Sequence, residues 1–503
     1  MSQTTPATTS PHLDPSLLPV VVIGAGPVGL AAAAHLTERS MPFIVLEAGD
    51  HAGSAMADWS HIRTFTPWQY IVDAAAERLL APTGWTRPAQ RQSPTGGEIV
   101  QHYLQPLAAV LADEVQTRSR VLAVSREGLD RSRTRGRAER VFIVRVQRAD
   151  GTVEDLRARA VIDASGTWGH SNPLGASGLP ALGEREAAEH GFLVGPLPDV
   201  LGAHRERFAG RVTLVVGMGH SAANTLVALA QLAREVPGTR IVWAIRGQSA
   251  RRVFGGGTAD QLPDRGRLGS DLADLVTTGA LEHVTGFSTR GLRIAPDGQA
   301  VTVIGDTPDG IREIPGVHNV AAATGFRPDV AMLSELRLDL DLGLQSPREL
   351  GPLIDPESHS CGTVRPHGWR ELAHGAEPGF FVVGMKSYGR APTFLITTGN
   401  EQVRSIVAHL AGDDAAANEV QLVLPETGVC SSSNALTDEQ LANGDSPDGA
   451  CCGAPEVAPL QLTTLRLGFA TGVPNGRAGE AAEPREILPL AEVSSDKSPA
   501  CCG

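Results

Sequence analysis

The chain has 503 residues, more than one hydrophobic core normally serves, so at least two domains are expected. Its net charge of −13 disfavours a nucleic-acid partner, because phosphate binding depends on clustered Lys and Arg. No segment approaches the roughly 18 apolar residues of a membrane span, and the first residues lack a basic stretch followed by an apolar one. We therefore expect a cytoplasmic protein without a membrane partner.

The first predicted elements form a strand–turn–helix–strand unit. A short β-branched strand, residues 20–23, enters a glycine-rich turn that opens an alanine-rich helix, and a second strand ends at Glu47. The turn contains the fingerprint residues Gly24, Gly26, Pro27, Val28 and Gly29. Such glycines allow a tight turn, close approach of backbone N–H groups to a pyrophosphate, and close helix–strand packing, while the carboxylate accepts hydrogen bonds from a ribose. The pattern predicts a dinucleotide site; the alternative is a purely structural glycine-rich turn.

The next segment predicts a mixed region. Apolar spacing is helical over residues 97–114, and residues 121–124, 141–146 and 160–162 have the composition of strands. The basic segment 131–140 lies between two of these strands. We expect it to be a solvated hairpin tip.

A second strand–turn–helix–strand unit begins near residue 212. Its turn contains Gly217, Gly219, His220, Ser221 and Ala222, the variant of the fingerprint that ends in Ala. After the second strand of this unit comes Arg246, where the first unit has Glu47. A cation there suits a 2′-phosphate, which a carboxylate would repel, so the site should prefer NADPH to NADH. The alternative is a solvated arginine.

Together with the segment Ala323-Thr324-Gly325, the two fingerprints resemble the flavin-containing monooxygenase and thioredoxin-reductase-like superfamily over residues 18–412. The resemblance implies an α/β fold of two Rossmann-like domains, with FAD at the first site, NADPH at the second, and the NADPH domain inserted in the FAD domain. The implied boundaries are a flexible leader 1–17, the first part of the FAD domain 18–200, the NADPH domain 201–330, the returning FAD segment 331–424, and a disordered tail 425–503 with cysteine pairs.

The resemblance also implies further site residues. Gly166 looks like the end of the segment that closes the FAD domain before the insertion, and Thr324 and Gly325 belong to the returning segment. The region around Arg63 and Trp68 resembles the part that lines flavin and substrate, although aromatic residues near proline are also common in cores.

Lys386 is the only lysine outside the tail. Near a flavin, its ammonium would stabilise the negative charge that develops on reduction. The alternative is an ordinary surface lysine. The segment from Gly379 to Arg390 also replaces the Gly-Asp that many relatives place against the ribityl chain.

Two departures from the family patterns bear on the reaction. The sequence has no Cys-x-x-Cys pair, which disfavours a disulfide reductase. Nothing in the sequence forbids a monooxygenase, in which reduced flavin reacts with dioxygen and a small-molecule substrate. The monooxygenase linker before the second fingerprint is reduced to Phe208-Ala-Gly210. This favours the alternative of an NADPH-driven reductase or oxidase that inserts no oxygen. A homodimer is left open.

The tail, residues 425–503, contains 11 acidic and 4 basic residues and most of the cysteines. These are Cys430, Cys451, Cys452, Cys501 and Cys502. Clustered thiolates bind soft ions such as trivalent arsenic; redox buffering and incidental cysteines are the alternatives. With the segment from Gly384 to Thr393 and the Cys-Cys-Gly end, the whole chain resembles flavoprotein monooxygenases encoded with arsenic-resistance genes, which implies an arsenical or another soft substrate. A third hypothesis is a resistance protein that binds metalloids through its tail.

Overall fold

The structure is a computed structural model that describes residues 15–255, 257, 260, 262–359 and 364–424. The strands are β1 (Val20–Ile23), β2 (Phe43–Leu46), β3 (Val115–Gln116), β4 (Arg120–Arg126), β5 (Phe142–Gln147), β6 (Val153–Ala158), β7 (Ala160–Asp163), β8 (Leu193–Val194), β9 (Val212–Val216), β10 (Arg240–Ala244), β11 (Glu282–Val284), β12 (Ser288–Ile294), β13 (Val301–Thr307), β14 (Gly310–Val317), β15 (Asn319–Ala322) and β16 (Phe380–Val382).

The α-helices are α1 (Pro27–Glu38), α2 (Ser54–Ala57), α3 (Ala74–Leu80), α4 (Gly96–Ile99), α5 (Gln105–Val110), α6 (Glu184–Glu189), α7 (Arg205–Phe208), α8 (His220–Glu235), α9 (Arg251–Phe254), α10 (Pro263–Thr277), α11 (Gly351–Ile354), α12 (Trp369–Leu372), α13 (Ile396–Leu410) and α14 (Asp414–Asn418). Short 3-10 turns include Trp68–Tyr70 and Gly384–Tyr388. None of the helices described is long and apolar enough to cross a membrane.

Two parallel five-stranded sheets form the framework. The first has the order β16-β7-β1-β2-β3, and the second has the order β11-β10-β9-β15-β8. Strands β8 to β15 lie between β7 and β16 in the chain, so the unit that contains the second sheet is inserted into the first. The expected α/β fold of two Rossmann-like domains, one inside the other, is confirmed. The second sheet begins at β8, a few residues before the expected boundary at residue 201.

Both units follow one plan. A strand–helix–strand unit is followed by a third parallel strand, a three-stranded antiparallel sheet, and a fourth parallel strand that pairs with the first. The antiparallel sheets are β4-β5-β6 and β12-β13-β14. In the first unit, alternate residues of β1 pack against α1, α3 and α13 on one face and against β4 to β6 on the other. Each fingerprint therefore stands on a strand that is buried on both faces.

The loop between β4 and β5 is exposed at nine of the ten residues 131–140, as expected of a solvated hairpin tip, and Arg137 is the exception. Arg137 is only 3% exposed and forms an ion pair with the fully buried Glu377, which also pairs with Arg126 of β4. The backbone N–H of Arg337 donates to the same carboxylate. Arg137 therefore joins an otherwise exposed loop to the segment that returns from the inserted unit.

The expected helix over residues 97–114 is divided. Thr95 and Glu98 form a capping box at the start of α4, a π turn covers Val100–Leu104, and α5 ends at Val110. Pro106 has no N–H to donate to the carbonyl four residues earlier, which explains why the regular helix is interrupted here.

Candidate functional site

The first fingerprint forms the turn between β1 and α1. Gly24 has φ +98°, and a Cβ there would lie 2.8 Å from the Ala164 carbonyl oxygen. A Cβ at Gly29 would lie 1.9 Å from the Gly24 carbonyl oxygen. At Gly26, by contrast, a Cβ would meet no described atom within 4 Å beyond the chain neighbours. The protein's own backbone requires glycine at the first and third positions, and the open space at Gly26 fits a pyrophosphate.

The second fingerprint repeats this geometry between β9 and α8. Gly217 has φ +128°, and a Cβ there would lie 2.1 Å from the carbonyl oxygen of Ala323. Gly219 again borders open space, with no described atom within 4 Å of an added Cβ. Ala222 is fully buried in the core of the inserted unit, so its methyl group fills the place of the third glycine. The second cradle is therefore as open as the first.

The helices continue both turns in the expected way. Pro27 is in the first turn of α1, where its missing N–H costs nothing, and Val28 packs close to Gly384 of the returning segment. In α8, Ser221 follows His220 in the first turn. Neither helix has a side-chain cap at its N-terminus. The free N–H groups and the helix dipole therefore face the turn and suit an anion.

Glu47 directly follows β2. Its carboxylate accepts hydrogen bonds from the backbone N–H of Ala25, at 2.8 Å, and of Gly49, at 2.7 Å. These bonds hold the carboxylate beside the fingerprint, where remaining lone pairs can accept from ribose hydroxyl groups.

The inserted unit has no carboxylate at the matching position. The strand register places the buried Ile245 where the first unit has Glu47, and Arg246 follows one residue later. Arg246 is exposed, and its Nη1 donates to the Ala176 carbonyl oxygen at 3.2 Å. The position therefore offers a cation to a phosphate and lacks the acidic group that would bind a free 2′-hydroxyl.

An aromatic contact joins the two units beside the second fingerprint. The ring of His220 meets that of Phe65 edge-on, with centroids 4.9 Å apart. Burial lowers the pKa of His220, and the Arg265 guanidinium lowers it further, against an opposing effect of Asp260. Burial and the guanidinium both favour the neutral imidazole, and the expected role of His220 in cofactor binding stays a prediction.

Thr324 and Gly325 lie where the chain leaves β15 and returns towards the first unit. The Thr324 hydroxyl donates to the Asn172 carbonyl at 2.6 Å, and the Asn172 side-chain amide donates back to the Thr324 carbonyl at 3.1 Å. Gly325 has φ +86°, in the left-handed region that favours glycine. These bonds fasten the exit from the inserted unit to the segment that leads into it.

The strand ends of the first sheet hold a buried ion pair. Lys386 is 2% exposed, and its Nζ lies 2.7 Å from Oδ2 of the fully buried Asp163. The same ammonium donates to the Ser165 hydroxyl at 3.0 Å. Gly166, with φ +70°, follows in the turn. The alternative of a surface lysine is therefore wrong.

Arg63 and Trp68 have structural contacts. Arg63 donates to the Ser93 carbonyl and lies 3.7 Å from a carboxylate oxygen of Glu98 in α4, so its guanidinium contacts both the loop at residue 93 and the helix that follows it. Trp68 is 3% exposed and packs in the core of the first unit. Their expected roles beside flavin and substrate stay predictions.

The tail cysteines lie outside the described residues. Within the described residues, no group of three metal-binding side chains occurs. An open cavity of about 770 Å³ is lined by His35, Asp73, Asn400 and Arg404 among others, and it lies at the end of α1 remote from the fingerprint.

The resemblance singled out the segment 163–166 as a strand end, but sequence reasoning gave no role to the side chains of Asp163 and Ser165 and did not single out Asn172. A signal existed for Asp163, since a carboxylate at the end of an otherwise apolar buried strand requires a partner. Nothing local indicated that this partner is Lys386, which is 223 residues away.

Comparisons with solved structures show the same fold. The bacillithiol disulfide reductase of Bacillus cereus has a TM-score of 0.57 at 17% identity, over 78% of this chain and 99% of that chain. The FAD-bound cadaverine monooxygenase of desferrioxamine biosynthesis from Erwinia amylovora has 0.54 at 13%, over 82% and 97%. The ornithine N-hydroxylase of Kutzneria sp. 744 has 0.51 at 16%, over 80% and 98%.

No curated protein sequence matches the chain. Residues 21–345 match a family described as pyridine nucleotide-disulphide oxidoreductase. The match includes both fingerprints and the strands on which they stand. The chain therefore belongs to the pyridine nucleotide-disulphide oxidoreductase family.

Proposed function

We propose that this protein is an FAD-dependent oxidoreductase that takes hydride from NADPH and acts as a flavoprotein monooxygenase on a small soft substrate. The observation that carries the proposal is the pair of open cradles at Gly26 and Gly219, each at a helix N-terminus on a doubly buried strand. The similar solved structures from Erwinia amylovora and Kutzneria sp. 744 are a monooxygenase and a hydroxylase with FAD or FAD and NADP, which supports this assignment.

When bound, FAD would accept hydride from NADPH and pass electrons to dioxygen. The chain's own residues hold the two dinucleotides. Backbone N–H groups at the two turns bind the pyrophosphates, and the Glu47 carboxylate accepts hydrogen bonds from the ribose of FAD. Arg246 binds the 2′-phosphate of NADPH. The Phe65–His220 contact packs the two units together beside the second fingerprint.

Replacing Arg246 with Ala should impair use of NADPH but not of NADH. A hydrogen bond to a charged group contributes about 1.5–3 kcal/mol, so the KM for NADPH should rise about 10- to 100-fold. The matched control is Arg267→Ala, which removes an exposed arginine of α10 whose ion pair is with Asp264 at 3.3 Å. Initial rates with both nucleotides measure the effect. An equal loss with NADPH and NADH would show that Arg246 does not read the 2′-phosphate.

The cysteine pattern of the sequence favours dioxygen over a disulfide as the electron acceptor. All six cysteines lie outside the described residues, and no two form Cys-x-x-Cys. The rival is an NADPH-driven reductase or oxidase, which the similarity to the Bacillus cereus disulfide reductase supports. The ratio of hydrogen peroxide released to NADPH consumed separates the two. A monooxygenase should release less peroxide when its substrate is added, whereas an oxidase keeps the ratio near one.

We further propose a trivalent arsenical as the substrate to test, because a flavin-activated oxygen attacks soft, electron-rich atoms. The tail thiols would then deliver or capture the metalloid. Replacing Cys430, Cys451, Cys452, Cys501 and Cys502 with Ser in the full chain tests this role. If the tail alone confers arsenic resistance, the change should abolish resistance and leave NADPH oxidation intact. A homodimer stays a prediction.

A further inference from the structure

A charged pair lies beneath the first dinucleotide turn. Asp163 ends β7, Lys386 follows β16, and the two side chains are 0% and 2% exposed. Their 2.7 Å separation is that of a strong, charge-assisted hydrogen bond. Burying two charges is costly, so a pair in this position needs support from its surroundings.

The pair lies at the point in the first sheet where the strand order reverses. In the strand order β16-β7-β1-β2-β3, β1 and β7 are neighbours. From β1 the sheet extends one way to β2, and from β7 it extends the other way to β16, the next strand of this sheet in the chain. Ligands of such sheets bind at the carboxyl ends of the two central strands. A Cβ on Gly24 would lie 3.2 Å from the Cα of Ser165, so the turn after Asp163 touches the fingerprint itself.

The loop that carries Lys386 is fixed by its own polar network. The N–H of Gly384 donates to the Gln402 side-chain oxygen at 2.8 Å. The Gln402 amide nitrogen contacts His367 and the Ser387 hydroxyl, both at 3.0 Å, and that hydroxyl donates to the Gly384 carbonyl. All these side chains are buried. The ammonium therefore has a defined position relative to the turn.

The hydrogen bonds of Ser165 determine what it can offer to a ligand. Its hydroxyl donates its single hydrogen to Asp163 Oδ1 at 2.6 Å and accepts from Lys386 at 3.0 Å. One lone pair remains, and the residue is exposed. The Ser165 hydroxyl oxygen is therefore an oriented hydrogen-bond acceptor, held in place by the opposite charges of Asp163 and Lys386.

We propose that Asp163 and Lys386 are positioning residues that set the reduction potential of the flavin through their balanced charges and through the orientation of Ser165. The inference rests on the proposed function, because it requires FAD at the first site. Negative charge develops on the flavin ring during reduction, and charges in a low-dielectric interior act on it strongly. Lys386 favours that charge, Asp163 opposes it, and the intact pair holds the two effects in balance.

The test is the midpoint potential of bound FAD in Lys386→Met, Asp163→Asn and the double variant. Lys386→Met leaves an unbalanced negative charge and should lower the potential, whereas Asp163→Asn leaves a positive charge and should raise it. We expect each single change to alter the two-electron equilibrium about tenfold, about 30 mV. The double variant, which keeps a neutral site, should return close to the wild-type potential.

Arg126→Met is the matched control. It breaks another buried ion pair of the same unit, with Glu377, just before β16 and so at the opposite end of that strand. It should lower stability without moving the potential. Shifts of the same sign in both single variants, or no shift in either, would overturn the inference and leave the proposed function intact. A wild-type protein that takes up no FAD would overturn both.

Discussion

Replacing Glu377 with Ala should lower the free energy of unfolding by about 3–5 kcal/mol, because it leaves two buried guanidinium groups without a countercharge. Arg126 and Arg137 are each 3% exposed, and both donate to the Glu377 carboxylate at 2.7–2.9 Å. Urea denaturation followed by tryptophan fluorescence measures the loss. This triad joins the β4–β5 hairpin to the segment that returns from the inserted unit, so its removal should loosen that junction.

The control for this change is Glu127→Ala. Glu127 forms an ion pair with Arg157 in which both side chains are more than a third exposed, so its removal should cost about 1 kcal/mol or less. A Glu377→Ala variant no less stable than this control would contradict the stabilising role of the triad.

The carboxyl group of Glu377 should also make the free energy of unfolding depend on pH. Burial alone would raise the pKa of Glu377, but the N–H of Arg337 and the two guanidinium groups outweigh it, and the pKa is lowered. A carboxyl group whose pKa is lowered in the folded state stabilises fully above its unfolded value, about 4.3, and loses that contribution as pH falls through the folded value. The stability difference between wild type and Glu377→Gln should thus be constant from pH 7 to pH 5 and shrink in stronger acid.

Substitutions at different glycines of the fingerprints should affect either cofactor binding or the stability of the fold. In Gly26→Ala the added Cβ has no described atom within 4 Å, so the unliganded protein should keep its stability. FAD binding should weaken about 10- to 100-fold, because hydrogen bonds to the pyrophosphate are lost. Gly29→Ala places a Cβ 1.9 Å from a backbone oxygen and should disrupt the turn itself. Thermal denaturation without ligand and fluorescence titration with FAD measure both effects.

Gly219→Ala is the matched control for Gly26→Ala, because it fills the equivalent space in the inserted unit. It should weaken NADPH binding and leave FAD binding unchanged. If Gly26→Ala and Gly219→Ala affect the two nucleotides equally, the assignment of one cofactor to each cradle is wrong.

The fingerprints could be predicted from the sequence because their signal is local. Glycines at this fixed spacing between a buried strand and a helix are typical of dinucleotide-binding turns, and the structure gives a steric reason for Gly24, Gly29 and Gly217. The insertion of one unit in the other was implied by the resemblance to the superfamily and did not follow from the residues alone.

What the sequence could not show depends on contacts between distant segments. Arg137 lies in a strongly basic loop whose composition is typical of a solvated tip, yet its partner Glu377 is 240 residues away. The same holds for Lys386, since only folding brings it to Asp163. The sequence placed Arg246 at the position of Glu47, but the strand registers place it one residue further along the chain.

The central claim is that NADPH reduces FAD on this protein and that the reduced flavin then serves a monooxygenase reaction. The most direct measurement is stopped-flow absorbance of the FAD-loaded protein, reduced anaerobically with NADPH and then mixed with oxygen, with and without a trivalent arsenical. We predict rapid reduction, followed by an absorbance band that matches neither oxidised nor reduced flavin and that decays faster with the arsenical. Direct return to oxidised flavin with stoichiometric peroxide, unaffected by the arsenical, would contradict the monooxygenase assignment, and failure of NADPH to reduce the flavin would contradict the claim as a whole.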